Sequence, residues 1–256
     1  MLPFINVFGI EVATYGLLVF VGLLVGSIVS IFYFSKFHEI KKEDVFLCIL
    51  YAVIGLGIGA KLLYIITNIP FLIENYQTLD IGETFIAMLR GGFVFYGGLI
   101  GGVLGVLVYA KQFKVSFKKL LLTLIPAVPL IHAIGRIGCL CAGCCYGMEY
   151  NGFGAIIFHN SLLAPNDVPL FPMQIVEAIC NFAIFIVILL TYKKFVGTYK
   201  TLSLYLILYS ITRFVLEFFR GDLIRGVYSG ISTSQIISII LFAIGICLLV
   251  HERKKH

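Results

Sequence analysis

Charge is scarce in this 256-residue chain: Asp, Glu, Lys and Arg together make up 12% of it, and tryptophan is absent. Soluble domains carry about 25% charged and 45–50% apolar residues, whereas this chain is 60% hydrophobic with a mean hydropathy of +1.04. An ordinary soluble globular protein is therefore excluded. The apolar runs are continuous rather than alternating, which excludes a transmembrane β-barrel, and their length excludes disordered, collagen-like and coiled-coil classes. No cleavable signal peptide is expected, because the first apolar run is too long, lacks a basic flank and holds Glu11 at its start. No internal repeat is visible, so a transporter built from inverted halves finds no support. The net charge of +6 sits in short groups between apolar stretches, a pattern of loop orientation charges rather than of a nucleic-acid surface.

The remaining class is an all-α integral membrane protein. Apolar runs between charged breaks predict seven helices, at about residues 10–34, 44–67, 93–110, 120–141, 174–192, 202–219 and 233–251. The basic groups are Lys36, Lys41 and Lys42; Lys111, Lys114, Lys118 and Lys119; Lys193, Lys194 and Lys200; and Arg253, Lys254 and Lys255. Seven spans put all of them on one side, the cytoplasm by the positive-inside rule, and the N-terminus outside. Residues 1–256 then form a single polytopic domain, with segments 68–92 and 142–173 facing outward.

Ionisable residues inside a span cost ~2.5–3.5 kcal/mol on insertion scales, so each is a candidate functional residue. On the sixth span, Arg213, Glu217 and Arg220 share one helix face, where Glu217 can pair with both arginines. Two arginines against one carboxylate leave a positive excess suited to a phosphate; an ion cluster that only joins helices is the competing reading. The fourth span ends in Arg136 among Gly135, Gly138, Gly143 and Gly147, with His132 one turn earlier and Pro126 and Pro129 expected to bend the helix. Tyr15 and Tyr96 are interfacial phenols or headgroup donors, and Gln174 and Glu177 cap the fifth helix or join a polar cavity. Of the 7 cysteines, Cys139, Cys141, Cys144 and Cys145 are clustered. Metal binding, a disulfide, a reactive thiol and simple packing are all open to them; the spacing is not a two-pair zinc pattern, and adjacent Cys144 and Cys145 are awkward for joint ligation.

Five segments stand out together: Tyr15-Gly16-Leu17, Gly97-Gly98-Leu99-Ile100-Gly101, Gly135-Arg136-Ile137-Gly138 running to Tyr146-Gly147, Pro172-Met173-Gln174 with Glu177, and Arg213-Phe214 with Glu217-Phe218-Phe219-Arg220. In order and spacing they resemble the prolipoprotein diacylglyceryl transferase family of bacterial inner membranes. The family pattern has histidine where Tyr96 stands, and Asn-Phe-x-Asn-Gly-Glu where this chain has Cys139-Leu140-Cys141-Ala142-Gly143-Cys144.

The resemblance implies a seven-helix enzyme that transfers a diacylglyceryl group from phosphatidylglycerol to the lipobox cysteine in the signal peptide of a preprolipoprotein. Glycerol phosphate would be released, with both substrates entering from the bilayer and no metal or organic cofactor required. It implies catalytic roles for Arg136, Arg213, Tyr96 and Glu217. Tyr15, Gly97, Gly98, His132, Gly138, Gly147, Gln174, Glu177 and Arg220 would form the binding surface, and Tyr96 or His132 would accept the thiol proton. A different acceptor (a glycan or small thiol), a non-catalytic anion or lipid transporter, and a membrane thiol-redox protein remain as alternatives.

Overall fold

The computed structural model describes residues 3–7, 9–75, 84, 88, 92–161, 163–222, 227–228 and 231–254. An antiparallel hairpin of β1 (Phe4–Val7) and β2 (Ile10–Ala13) leads directly into α1 (Thr14–His38). There follow α2 (Lys42–Asn75), α3 (Phe95–Gln112), α4 (Phe117–Ala142), α5 (Met173–Phe195), α6 (Lys200–Phe219) and α7 (Thr233–Arg253). Two short ladders join β3 (Ile156–Ile157) to β4 (Pro169–Leu170) and β5 (Val227–Tyr228) to β6 (Ile231–Ser232). Six of these helices, all except α3, are long and apolar enough to cross a membrane. The all-α membrane class holds; the segment expected as a span at 93–110 is a helix, α3, of 18 residues ending in Lys111 and Gln112, and it is not among these six.

Boundaries differ from the sequence expectation for physical reasons. Residues 10–13 pair with β1 instead of opening the first helix; Ile10, Glu11 and Val12 alternate apolar and polar with the period of a strand. Helix α2 continues past 67, through Pro70, to Asn75, so the start of segment 68–92 is helical; Asp80 and Glu83 lie outside the described residues. The prolines act as expected on α4, where a 3-10 turn at Ile125–Ala127 interrupts the α-helix. Segment 142–173 is a folded arm with its own small core of Phe158, Ala164 and Leu170.

The chain separates into two compact units, one of Met1–His38 with Leu122–His256 and one of Glu39–Leu121. In the smaller, α2 and α3 meet backbone to backbone. A Cβ on Gly97 would strike the carbonyl of Gly59, one on Gly101 the carbonyl of Gly55, and one on Gly105 the carbonyl of Tyr51. In lipid, apolar contact between helices carries little hydrophobic drive, and small residues at every fourth position allow the close van der Waals approach that replaces it. Tyr109 adds a hydrogen bond from its Oη to Asp44 Oδ1, 2.8 Å.

In the larger unit, α1 lies on α4 through Gly22, Gly26 and Gly138, α5 packs on α4 and α6, and α7 packs on α6. Phe34, Leu130, Phe185 and Tyr192 form its aromatic core, with Tyr192 Oη donating to the Leu122 carbonyl at 3.0 Å. Outward positions remain apolar: Phe20 is 57% exposed, Ile179 63% and Leu190 74%. Contiguous surface of this kind suits hydrocarbon, not water.

Gly101→Ala should lower the thermal stability of the detergent-solubilised protein by the equivalent of about 1–3 kcal/mol, because the clash is with backbone that cannot rotate away. Gly57→Ala, with nothing within 4 Å of the added Cβ, should be neutral or slightly stabilising. Equal melting temperatures for wild type and Gly101→Ala would contradict this packing.

Candidate active site

The site is built outward from α5. Gln174, Glu177 and Asn181 follow one another at spacings of three and four, hence on one helical face, and are 0%, 3% and 3% exposed. No side chain caps this helix, whose N-cap is Pro172, so Gln174 and Glu177 join the polar interior instead of serving the helix end. Glu177 Oε2 lies 2.7 Å from Arg136 Nε on α4, and its Oε1 lies 3.0 Å from Arg213 Nη1 on α6 and 3.9 Å from Arg220 Nη1. The contact to Arg136 is ionic and off hydrogen-bond alignment. Arg213 Nη2 also lies 2.9 Å from Glu217 Oε2 and donates to Ser234 Oγ at 3.0 Å. Ser234 is held in place by a capping box at the start of α7, in which Ser232 and Gln235 exchange side-chain and backbone hydrogen bonds.

Two sequence expectations are corrected here. Arg220 is not a residue of the α6 face: the helix tightens to a 3-10 turn at Glu217–Phe219 and Arg220 leaves it in extended conformation. Its guanidinium forms a fork with Asp222, Nε to Oδ1 at 3.0 Å and Nη2 to Oδ2 at 2.6 Å. Burial opposes its charge, but Asp222, Cys145 and Glu177 outweigh that and raise its pKa above the ordinary arginine value. The expected positive excess is also absent, since Glu177, Glu217 and Asp222 stand against Arg136, Arg213 and Arg220. Arg136 is distinctive in another way. A guanidinium has five donors; here Nε faces Glu177 and Nη1 approaches only the Cys139 thiol, at 3.9 Å. Its terminal edge carries no carboxylate among the described residues.

Glycines seat the surrounding backbone. Residues 147 and 220 form an antiparallel bridge, Met148 N donates to Phe219 O at 2.9 Å and Gly221 N to Tyr146 O at 3.0 Å. A Cβ on Gly147 would strike the Phe171 carbonyl and one on Gly221 the Gly147 carbonyl, so the chain that carries Arg220 out of α6 meets the arm only with glycine at both positions. Gly138 lets α4 approach Tyr15 and Leu18 of α1. His132, one turn before Arg136, lies against the Tyr209 ring with centroids 5.5 Å apart. Tyr96, Gly97 and Gly98 belong to the smaller unit, where Gly97 and Gly98 are accounted for by packing against α2.

The C-terminus of α4 ends in a Schellman turn. Gly143 is left-handed at φ 71°, Gly143 N donates to Leu140 O at 3.3 Å and Cys144 N to Cys139 O at 3.1 Å. Cys145 is left-handed too, at φ 56°, and Gln174 Nε2 pins the turn through the Cys144 carbonyl at 2.8 Å. The sulfurs of Cys139, Cys144 and Cys145 consequently lie within 4.8 Å of one another. Adjacent cysteines awkward in a regular backbone converge once one of them is left-handed. Asn181, Ser234 and Asp222 were not read from the sequence. The stripe Gln174-x2-Glu177-x3-Asn181 inside an apolar helix was the available signal for Asn181; Asp222 and Ser234 carried none.

Glu177→Gln should destabilise the folded protein by about 3–5 kcal/mol, because it leaves buried Arg136 without a carboxylate and takes one of two from Arg213. Glu217→Gln should cost clearly less, since Arg213 keeps Glu177 and Ser234. Thermal unfolding in one detergent compares the two, and the reverse order would contradict the central place of Glu177.

Residues 3–251 match the family profile described as prolipoprotein diacylglyceryl transferase. The chain is 36% identical over 249 residues, 97% of its length and 96% of the relative's, to the phosphatidylglycerol–prolipoprotein diacylglyceryl transferase of Clostridium tetani. It is 36% identical over 245 residues to the second such enzyme of Clostridium perfringens, covering 95% and 92%, and 30% identical over 254 residues to that of Finegoldia magna, covering 98% and 95%. The same spacing of arginines, glycines and Glu177 that assembles the buried ion cluster thus sits inside a match of nearly full length, and the chain belongs to the prolipoprotein diacylglyceryl transferase family.

Proposed function

We propose that this chain transfers the diacylglyceryl group of phosphatidylglycerol to the lipobox cysteine of preprolipoproteins and releases glycerol phosphate. The reading is supported by the near-full-length similarity to relatives with that name. The observation that carries its chemistry is Arg136, buried, oriented at Nε by Glu177, with the terminal edge of its fork open to a ligand. The acceptor sulfur attacks the glyceryl carbon, the C–S bond forms, and the C–O bond breaks with its electron pair passing to the phosphate oxygen. Arg136 meets that phosphate in bidentate fashion and stabilises the developing charge, where low dielectric strengthens the contact. Arg213 and Arg220, whose donors are taken up by carboxylates, position Glu177 and the arm rather than bind lipid directly. Tyr15 donates to the headgroup, and Gln174 Oε1, buried and without a partner among the described residues, accepts from a glycerol hydroxyl. His132, one turn before Arg136 on α4, is the side-chain candidate for the thiol proton.

The membrane arrangement follows from adding α3 as a seventh span. Its 18 residues give a helix of about 27 Å, close to the ~30 Å hydrocarbon core. The N-terminus then faces outward and every basic group faces the cytoplasm of a bacterial inner membrane. Arg136, near the end of α4 opposite Lys118 and Lys119, lies at outer-leaflet depth, where a lipid and a signal peptide enter laterally.

Membranes holding the protein, given labelled phosphatidylglycerol and a lipobox peptide, should release glycerol phosphate and convert the peptide to its thioether. Lipid binding or movement without that release would replace the enzyme by a carrier. Arg136→Lys should lower turnover about 10²-fold at unchanged protein level, since an ammonium point charge cannot reproduce the fork. Reporter fusions after Lys42, Lys119 and Lys200 should register the cytoplasm, and one after Asn166 the outside; a cytoplasmic signal after Asn166 would overturn the seven-span arrangement.

A further inference from the structure

We infer that Cys139, Cys144 and Cys145 form a three-thiolate zinc site whose fourth position takes the acceptor cysteine and holds it as thiolate beside Arg136. The inference rests on the transferase reading above. All three cysteines are free thiols, and their sulfurs lie within 4.8 Å of one another. With Zn–S bonds of about 2.3 Å, sulfurs around a tetrahedral zinc lie about 3.8 Å apart, a distance these reach by side-chain rotation. The turn is set up for it: the Schellman bond from Cys144 N folds residue 144 back onto Cys139, and left-handed Cys145 brings a third sulfur round to the same side. Cys141, two residues from Cys139 on the helix and so on another face, is outside the group.

The donor set fits zinc and the reaction. Soft thiolates select zinc over magnesium or calcium, and three protein ligands with an open position characterise catalytic rather than structural sites. A thiol that coordinates zinc is deprotonated outright. Zinc with three thiolates carries a single net negative charge, and Arg136 Nη1 lies 3.9 Å from Cys139 Sγ to offset it. The same guanidinium therefore borders both the nucleophile and the leaving phosphate. In the step itself the acceptor S–H gives up its proton on binding zinc, to His132 and through it to solvent. The sulfur then forms the C–S bond as the C–O bond to phosphate breaks, and the thioether product, a weak ligand, leaves the metal. Zinc is redox-inert, so no oxidant or reductant is involved. This departs from the expectation that the reaction needs no metal, and gives a use to the cysteines that stand where the family pattern has asparagine and acid.

Full-length protein purified in detergent should hold stoichiometric zinc. Cys141→Ser should retain it, while Cys139→Ser, Cys144→Ser and Cys145→Ser should lose it. Cobalt in place of zinc should show thiolate-to-metal charge transfer and the bands of a tetrahedral ion. A free thiol of pKa about 8.5 is only a few per cent ionised at pH 7, so stripping zinc from the wild type with a chelator should lower peptide modification about 30-fold at that pH, with zinc restoring it. The zinc-loaded rate should stay flat between about pH 7 and 8.5, while the stripped rate should rise with pH. Because stripping uses the unmutated chain, poor folding of a cysteine variant does not obscure the result. Full activity in zinc-free protein, or a zinc content untouched by the cysteine variants, would overturn the inference. Zinc held by the three cysteines without any glycerol phosphate release would overturn the transferase reading and the activation step together, and leave the metal site standing.

Discussion

Glu177 is a carboxylate buried between arginines of two helices and an arm, and the larger unit depends on it. Each ion alone would cost several kcal/mol to hold away from water. Together they are tolerable because each guanidinium finds an oxygen: Arg136 and Arg213 on Glu177, Arg213 again on Glu217, and Arg220 on Asp222. Apolar helices in lipid slide along one another at little cost. An ion pair at 2.7–3.0 Å does not slide, so Glu177 sets the axial position of α4 and α6 against α5.

Around that hub the backbone is irregular wherever chemistry is brought close. The 3-10 end of α6 turns Arg220 out of the helix, and Gly147 and Gly221 let two chain segments touch so that it is seated. At the end of α4, two left-handed residues, Gly143 and Cys145, curl the chain so that three thiols lie close together. Non-helical backbone near a membrane is tolerated when its polar groups are satisfied by protein, and these turns are tied down by Gln174 on the Cys144 carbonyl and by the bonds between residues 146–148 and 219–221.

The arginines consequently divide by role. Arg213 and Arg220 spend their forks on carboxylates and a serine, which makes them rigid. Arg136 is oriented through Nε alone, leaving its terminal edge for a ligand and one nitrogen against the thiol cluster. A guanidinium that is fixed yet incompletely paired is preorganised for an anion: the cost of orienting it is met in folding, before any ligand arrives.

Composition, run length and the placement of lysines were enough to establish a helical membrane protein and the approximate helices, because hydropathy and helical period are local properties of the chain. Arg136, Glu177, Arg213 and Arg220 stood out for the same reason, as charges set in apolar runs. Their pairing was local only in part. Helical spacing gave Arg213 its partner Glu217, but the end of α6 left the helical register and Arg220 forks with Asp222, two residues on; only the packing of α4, α5 and α6 brought Glu177 to Arg136 and Arg213. Ser234 and Asn181 carry ordinary sequence signals and gained meaning from the helices packed against them. The opening hairpin looked helical because Ile10–Ala13 runs without a break into the apolar stretch of α1, although Glu11 between Ile10 and Val12 gives it the alternation of a strand. The three sulfurs converge through backbone angles at Gly143 and Cys145, a property of one folded turn that residue spacing does not encode.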